Sequence, residues 1–404
     1  MPVAPALGPR AFSFLAATRQ SDREREELVV SALLAFLVFV NAGYALRSLW
    51  IALRSKAQLT PAPAPRDAPP VTIIVPARNE ARQIEPCVRS LLAQDYPEFN
   101  VIVVDDRSED ETAAIVSRLT IEDMRLRLVE GEPLPADWVG KPWALAQGSY
   151  HAAGEWILFT DADTVHEPGA LAASMAYARA HELDVLSVLT DQVTVTAAER
   201  IFLPSILWTI GFAIGSLHAI NDPRREAALF NGQYIFARRS AYRAIGGHES
   251  VRAEIAEDLE LARRFKADGR FRTALAGADG LVRVRMYRSF REIWEGFVKN
   301  FALGARDRPV FAAVGMLLLA CVAPVTPIAV LILLAGGRWT AALVLAGSAS
   351  AAIAAAAFGM SRLGLGARSA LWLPLGLSSV IAIFCTSVVQ HARGRVTWRG
   401  RRYA

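Results

Sequence analysis

The alternation of apolar and polar positions divides the chain into distinct regimes. Four runs carry no charged residue: residues 28–46, 309–337, 339–361 and 369–390. A helix rises about 1.5 Å per residue, so roughly 20 residues cross the hydrocarbon of a bilayer. Core helices seldom run that far without a charge. The runs therefore read as one N-terminal span, residues 28–52, and about three C-terminal helices within a transmembrane region at 309–390. A polar segment, residues 1–27, precedes the first span and includes SDREREE. No small-residue cleavage pattern follows that span, so it reads as an anchor and not a cleaved leader. A fifth apolar run, 201–221, is long enough to span but holds Pro204 and His218. It separates two acidic motifs, FTDADT and AEDLE, that are read below as one site. It is therefore expected to lie on the membrane surface or to wall an acceptor groove.

Between the spans the periodicity changes. TPAPAPRDAPP, residues 60–70, is an extended, stiff linker. VTIIVP, VIVVDD, RLRLVEG and EWILFTD then read as strands. ARQIEPCVRSLLAQ, SEDETAAIVSRLT and KPWALAQGSYHAAG between them read as helices. Strands alternating with helices, each strand apolar on both faces, predict an α/β domain over 71–288 with a mostly parallel sheet. In residues 289–303, Phe290, Ile293, Trp294, Phe297 and Phe301 share one helical face, with Arg291, Glu292, Glu295 and Lys299 elsewhere. This predicts an interfacial amphipathic helix leading into the spans, with core packing of the same stripe as the alternative.

The formal net charge is +5 over 404 residues, and 53% of residues are hydrophobic. Arginines cluster beside apolar runs, at Arg224 and Arg225, at 283–291 and in a basic tail, 391–404. That placement suits anionic headgroups; nucleic-acid binding would need a basic face on the folded domain. The three cysteines, Cys87, Cys321 and Cys385, have no metal-ligand spacing, and no disulfide or zinc site is expected.

In an open parallel sheet, ligands bind beyond the carboxyl ends of the strands. Polar residues stand at those ends three times: Arg78, Asn79 and Glu80; Asp105 and Asp106; Asp161 and Asp163. In extended chain, residues two apart point to one side, so Asp161 and Asp163 can aim at a single point. Two converging carboxylates repel unless a cation neutralises them, and Mg²⁺ or Mn²⁺ is the hard, oxygen-seeking choice. The pair also reads as a helix start, with Asp163 or Thr164 capping EPGALAASMAYA.

Taken together, VTIIVPARNE, VVDDRSEDET, FTDADT and AEDLELARR resemble the family-2 glycosyltransferases of the GT-A fold, over roughly residues 71–300. WVGKPWALAQG, NDPRR and VRMYRSFREIWEGF resemble the membrane-bound lipid branch, with its hopanoid-associated and carotenoid (diaponeurosporenoate) types. The resemblance implies transfer of one sugar from a nucleotide sugar, UDP-hexose foremost, to a hydroxyl or carboxyl of a lipid-like acceptor. It implies a donor site of Pro76, Arg78, Glu80, Asp106 and Asp161, with Asp106 on the base and Glu80 near base or ribose; Lys141, in a loop just before a helix whose N-terminus can face phosphate, is a further donor-phosphate or sugar candidate. Asp161 and Asp163 would hold Mg²⁺ or Mn²⁺, and Asp258 would be the base of an inverting displacement. Arg288 and Arg291 are diphosphate candidates, and Gln233, His248 and Glu257 are weaker acceptor-side candidates. Each has a plain alternative: a helix cap for Asp106, an exposed helix-start acid for Glu80, a solvated lysine for Lys141 and first-turn acids for Glu257 and Asp258. Ile255, Leu259, Ala262 and Phe265 are expected to face the core from the helix carrying Asp258, with Glu260 and Arg264 paired outside.

Processive polysaccharide synthases of the family carry Q/R-x-x-R-W. Here the place reads RSFRE, with glutamate for tryptophan, which weighs against polymer synthesis. A non-catalytic membrane scaffold with a degenerate transferase domain is the other alternative. Nucleotide sugars are cytosolic, so a multi-pass inner-membrane protein with its domain inside is implied. Three C-terminal spans would then leave the basic tail outside, against the positive-inside rule, unless one run is re-entrant. Pro324 and Pro327 make 309–337 the candidate for a break.

Overall fold

The computed structural model describes residues 9–304, 308–393, 395–398 and 401–403. The first eight residues of the N-terminal segment, and 394, 399–400 and 404 of the basic tail, lie outside them. Helix α1 (Pro9–Arg54) is continuous through SDREREE, so the polar stretch joins the apolar run as one helix. The linker then crosses to the sheet in extended form. It is tied down by Leu59, whose N–H donates to the Gly277 carbonyl at 2.9 Å, and by the Tyr96 hydroxyl on the Pro69 carbonyl at 2.7 Å.

The domain follows in order as β1 (Val71–Ala77), α2 (Ile84–Leu92), β2 (Phe99–Asp105), α3 (Thr112–Glu122), β3 (Leu126–Glu130), α4 (Gly140–Tyr150), β4 (Trp156–Thr160), β5 (Thr164–His166), α5 (Ala170–Ala180), β6 (Val185–Leu189) and β7 (Asp191–Gln192). Helices α6 (Ala197–Ile214) and α7 (Leu217–Asn221) interrupt it. It resumes with β8 (Tyr234–Arg238), α8 (Arg239–Ala244), α9 (Glu257–Asp268), β9 (Thr273–Gly277) and β10 (Val282–Val284). Seven strands form one sheet in the order β3-β2-β1-β4-β8-β6-β9. All pairs are parallel except β8, which runs antiparallel to both β4 and β6. Strands β5, β10 and β7 make a small second sheet. The central strands β1, β2 and β4 are buried on both faces, as two covering helix layers require. Pro76 sits in β1 opposite Val104, past the last residue paired with β4, where a missing N–H costs that ladder nothing.

The chain then runs through α10 (Phe290–Gly304), α11 (Pro309–Ala320), α12 (Thr326–Ala335), α13 (Trp339–Arg362) and α14 (Leu373–Ala392), to a short hairpin of β11 (Val396–Trp398) and β12 (Arg401–Tyr403). Among the described residues five helices are long and apolar enough to cross a membrane: residues 24–54, 197–214, 309–335, 339–362 and 367–392. The prolines do not break the 309–335 run. Cys321–Val325 forms one π-helical turn around Pro324, and the helix continues.

Two elements differ from expectation in what covers them. Helix α10 does not turn its whole apolar stripe to lipid: Ile293, Phe297 and Val298 are buried with Leu203, Ile206, Val380 and Ile383 of α6 and α14. Helix α6 is likewise packed among the apolar helices. Trp208 is fully buried, its indole N–H donating to the Tyr44 hydroxyl of α1 at 2.8 Å. Its ring lies so close to Gly359 of α13 that a Cβ there would meet it at 2.2 Å. Yet both ends of α6 return to the sheet domain. At its start the Thr196 hydroxyl caps the Glu199 N–H, and the buried Glu199 carboxylate pairs with Arg285, just past β10, at 2.8 Å. Beyond its end, Asn221 exchanges two hydrogen bonds with Leu275 of β9, at 2.7 and 3.0 Å.

Candidate functional site

The site lies past the carboxyl ends of β1, β2 and β4, where the parallel strands release their chains into loops. Beyond β1 and β2 the backbone is unusual: Asn79 and Arg107 have φ of 55° and 58°, the left-handed region that L residues seldom occupy. The two loops stitch each other in place. The Asn79 carboxamide oxygen accepts from the Glu109 N–H at 2.8 Å, and Arg78 donates to the Asp106 carbonyl at 2.8 Å. Glu80 is buried, and its N–H donates to the Thr112 hydroxyl, so it is not an exposed helix-start acid. Asp106 is buried as well. It is Asp105, not Asp106, whose carboxylate accepts from the Ser108 N–H, at 3.1 Å, and α3 begins only at Thr112.

The β4 loop carries Asp161 and Asp163. Helix α5 starts at Ala170 with Gly169 as its cap, and β5 intervenes, so neither Asp163 nor Thr164 caps it. Facing the loop from α4 is Lys141. Its Nζ lies 2.8 Å from Asp161 Oδ1 and 3.0 Å from Glu257 Oε1 of α9. The solvated-lysine alternative is excluded by this geometry. Burial alone would lower the Lys141 pKa, but Asp161, Glu257 and Asp258 together hold it above its ordinary value. Asp258 stands beside the ammonium. Its Oδ2 accepts from the Gly232 N–H at 3.0 Å and its Oδ1 from the Leu259 N–H at 2.8 Å. Burial, reinforced by Glu257 and opposed by Lys141, pushes the Asp258 carboxyl up to about 6. Gly232 leaves room for both groups: a Cβ there would lie 3.0 Å from Asp258 Oδ2 and 3.1 Å from Lys141 Nζ, and one of them would have to shift.

The helix carrying Asp258 packs somewhat differently from its predicted stripe. Leu261, Ala262 and Phe265 are buried along with Glu257, whereas Leu259 and Ile255 are only half-buried. The outer pair is Glu260 with Arg263, one turn on, at 3.5 Å. Glu257, ranked behind Asp258 from spacing, is the more buried of the two, because it supplies the second carboxylate on Lys141.

Four further candidates have other partners. Gln233 is buried, and its side-chain oxygen accepts from the Thr190 hydroxyl at 2.5 Å, which turns it into the sheet and away from an acceptor. Arg291 is exposed and paired with Glu295 of its own helix at 2.7 Å, so it is not presented to a diphosphate. Arg288 is nearer: its guanidinium donates to Gln83, in the loop after β1, at 3.2 Å. His248 is buried, its N–H and Nδ1 both meeting the Tyr242 hydroxyl, at 2.9 and 2.8 Å. Burial and the Lys141 charge pull its pKa down to about 3, so it is neutral.

Sequence spacing did not bring out Gly232 or the polar layer beneath the DxD turn. There, Thr160 and Thr164 lie 3.2 and 2.9 Å from Nε2 of buried His166, held neutral by burial with a pKa near 3. The available signal was three polar residues at even spacing, Thr160, Thr164 and His166, bracketing DAD on an otherwise apolar run.

Among the described residues no three His, Cys, Asp or Glu side chains form a preassembled metal cage. The donor set at Asp161 and Asp163 still fits a hard cation. Its ligands are carboxylate oxygens, a positive charge already rests against Asp161, and such ions commonly take one or two carboxylates and complete their shell from substrate phosphates.

Residues 72–244 match the family model described as glycosyl transferase family 2. The chain is 30% identical over 243 residues to 4,4'-diaponeurosporenoate glycosyltransferase of Staphylococcus aureus, covering 58% of this chain and 61% of the relative. It is 27% identical over 238 residues to the protein of the same name from Staphylococcus haemolyticus, covering 58% and 62%. The matches thus span about three fifths of these relatives' length. A solved structure of the mannosyltransferase PcManGT from Pyrobaculum calidifontis, in complex with GDP-Man and Mn²⁺, is similar with a TM-score of 0.57 and 23% identity. That match covers 90% of this chain and 99% of that one, and the likeness is one of fold.

Proposed function

We propose that this chain, whose residues 72–244 match the glycosyl transferase family 2 model and whose fold resembles that of a solved mannosyltransferase, is a membrane-bound enzyme that moves one sugar from a nucleotide sugar to a lipid-like acceptor. The observation that carries this reading is the cluster about Lys141: Asp161, Glu257 and Asp258, from β4 and α9, around one ammonium at the open edge of the sheet. Asp106 and Glu80 take the base and ribose of a UDP-sugar, with Arg78 and Pro76 shaping that wall. Asp161 and Asp163 hold Mg²⁺ or Mn²⁺, which supplies neutralisation of the charge growing on the leaving diphosphate. Lys141 adds a fixed positive charge on the same side. Asp258 accepts the acceptor's proton as its oxygen attacks the anomeric carbon. A carboxyl near 6 is ionised at neutral pH and still basic enough for that task. One base and one displacement invert the anomeric configuration.

Residues 71–288 are the catalytic domain, placed on the cytoplasmic side of a multi-pass inner or plasma membrane. Helices α6 and α10, packed between it and the apolar bundle, bring an acceptor hydroxyl or carboxyl from the lipid phase to Asp258. The name of the carotenoid-type relatives supports a lipid acceptor, and the glutamate at Glu292 in place of the synthase tryptophan argues against a growing polymer.

The test is nucleoside diphosphate release by the full chain in detergent. The assay uses a panel of UDP- and GDP-sugars, Mn²⁺, Mg²⁺ or EDTA, and total bacterial lipid. One donor should give metal-dependent release, lost in Asp163→Asn and Asp258→Asn, with the sugar appearing in the lipid fraction. No turnover and no thermal shift with any donor would leave a scaffold with an inherited fold.

A further inference from the structure

We infer that His166 is a positioning residue for this site, its Nε2–H holding the DxD turn and the segment that seats Asp258 in one register. The inference rests on the metal role proposed above for Asp161 and Asp163. It follows from counting protons in a buried cluster. The Thr164 hydroxyl donates to the Asp161 carbonyl at 2.7 Å, inside the DxD turn. The Thr160 hydroxyl donates to the Gln233 carbonyl at 2.8 Å, one residue past the Gly232 whose N–H holds Asp258. Each hydroxyl has one proton, and each is now spent. Both oxygens can face the imidazole only as acceptors. The ring nitrogen between them, 2.9 Å from one and 3.2 Å from the other, is therefore the donor, and this sets the tautomer.

Other contacts keep the ring in place. The His166 N–H donates to the Ser90 hydroxyl of α2 at 3.1 Å, and Tyr234 of β8 lies against the ring, with centroids 5.7 Å apart. The two threonine oxygens are themselves 3.0 Å apart, so they form a single acceptor pair under one N–H. One imidazole thus joins two stretches some seventy residues apart in sequence that carry the proposed metal ligands and the seat of the proposed base. The Nε2–H of the ring meets the two threonine oxygens, and it acts on the DxD turn and the Gly232 segment through them.

The experiment titrates Mn²⁺ alone into the full-length chain in detergent and follows free Mn²⁺ by electron paramagnetic resonance, with the unfolding temperature measured in parallel. His166→Leu removes the donor, His166→Gln replaces it with an amide N–H at similar reach, and Thr164→Val cuts the link to Asp161. We expect His166→Leu and Thr164→Val to weaken Mn²⁺ binding by about 10- to 100-fold, as loss of an outer-shell partner does, and His166→Gln to stay within about threefold of the parent. A His166→Leu chain that melts lower but binds Mn²⁺ as tightly as the parent has lost packing only, and the inference is wrong. If His166→Leu fails to fold, Thr164→Val decides alone: unchanged Mn²⁺ affinity refutes the inference. A parent chain that binds no Mn²⁺, either alone or with UDP added, sinks the metal reading of the site and this inference with it, an outcome separate from unchanged affinity in the variants.

Discussion

If Asp258 is the base, its ionisation should be steered in opposite directions by its two charged neighbours. Lys141 Nζ and Asp258 Oδ2 lie 3.1 and 3.0 Å from one point, the place a Gly232 Cβ would take, so they are at most about 6 Å apart. At an effective dielectric constant of about 20, a unit charge at 6 Å is worth about 3 kcal/mol, or about 2 pKa units. Lys141 is about a third exposed, which screens part of this and makes a shift of about 1 to 2 units the working figure. Lys141→Met should therefore move the acid limb of the kcat/KM profile from near 6 up to about 7 to 8. Glu257→Gln removes a charge that raises Asp258 and frees Lys141 to act on it, so the limb should fall by about 1 unit. The assay is nucleoside diphosphate release between pH 5 and 9 at saturating metal and donor concentrations well below KM. Both variants will lose absolute rate, since both disturb the donor side; the position of the limb is the readout. Limbs that move the same way, or stay where they are, would refute the assignment of that ionisation to Asp258.

Three further outcomes follow from the same geometry. A carboxyl at about 6 in the folded chain against 3.8 unfolded contributes stability that is full below about 4 and lost as pH rises through 6. Two units amount to about 3 kcal/mol at most, so Asp258→Asn should abolish turnover yet raise the unfolding temperature at pH 8 and not at pH 4; a lower one at pH 8 contradicts the burial argument. Gly232→Ala forces Asp258 and Lys141 apart by a few tenths of an ångström or more, and should lower kcat by about 10- to 100-fold with a native-like melting curve. Gly359→Val places a side chain on the Trp208 ring and should cost about 1 to 3 kcal/mol, read as a lower unfolding temperature in detergent; an unchanged value would mean that α6 does not dock on α13 as described.

Much of this molecule is written in its local pattern. Charge-free runs set the long apolar helices, because length and composition alone decide whether a helix tolerates hydrocarbon. Doubly buried strands alternating with helices specify the parallel part of the sheet, and its carboxyl edge then dictates where Arg78, Glu80, Asp106 and Asp161 emerge. The period of two in DAD assumes extended chain, but β4 ends at Thr160 and the chain turns there, the Thr164 N–H donating to the Asp161 carbonyl at 3.3 Å, so it is the turn and not the strand period that sets the two carboxylates. What the pattern could not express is partnership between segments far apart in the chain. Lys141 reads either as a donor contact or as a solvated lysine until α4 and α9 close around it and surround it with Asp161 and Glu257. Gln233 and Arg291 read as ligand contacts until Thr190 and Glu295 satisfy them. Gly232 and His166 acquire their roles only from close approach and from protons already committed elsewhere. Periodicity reports which way a side chain points along its own element. Which charge or hydrogen bond meets it there depends on distances of about 3 Å between elements, and only the packed chain sets those.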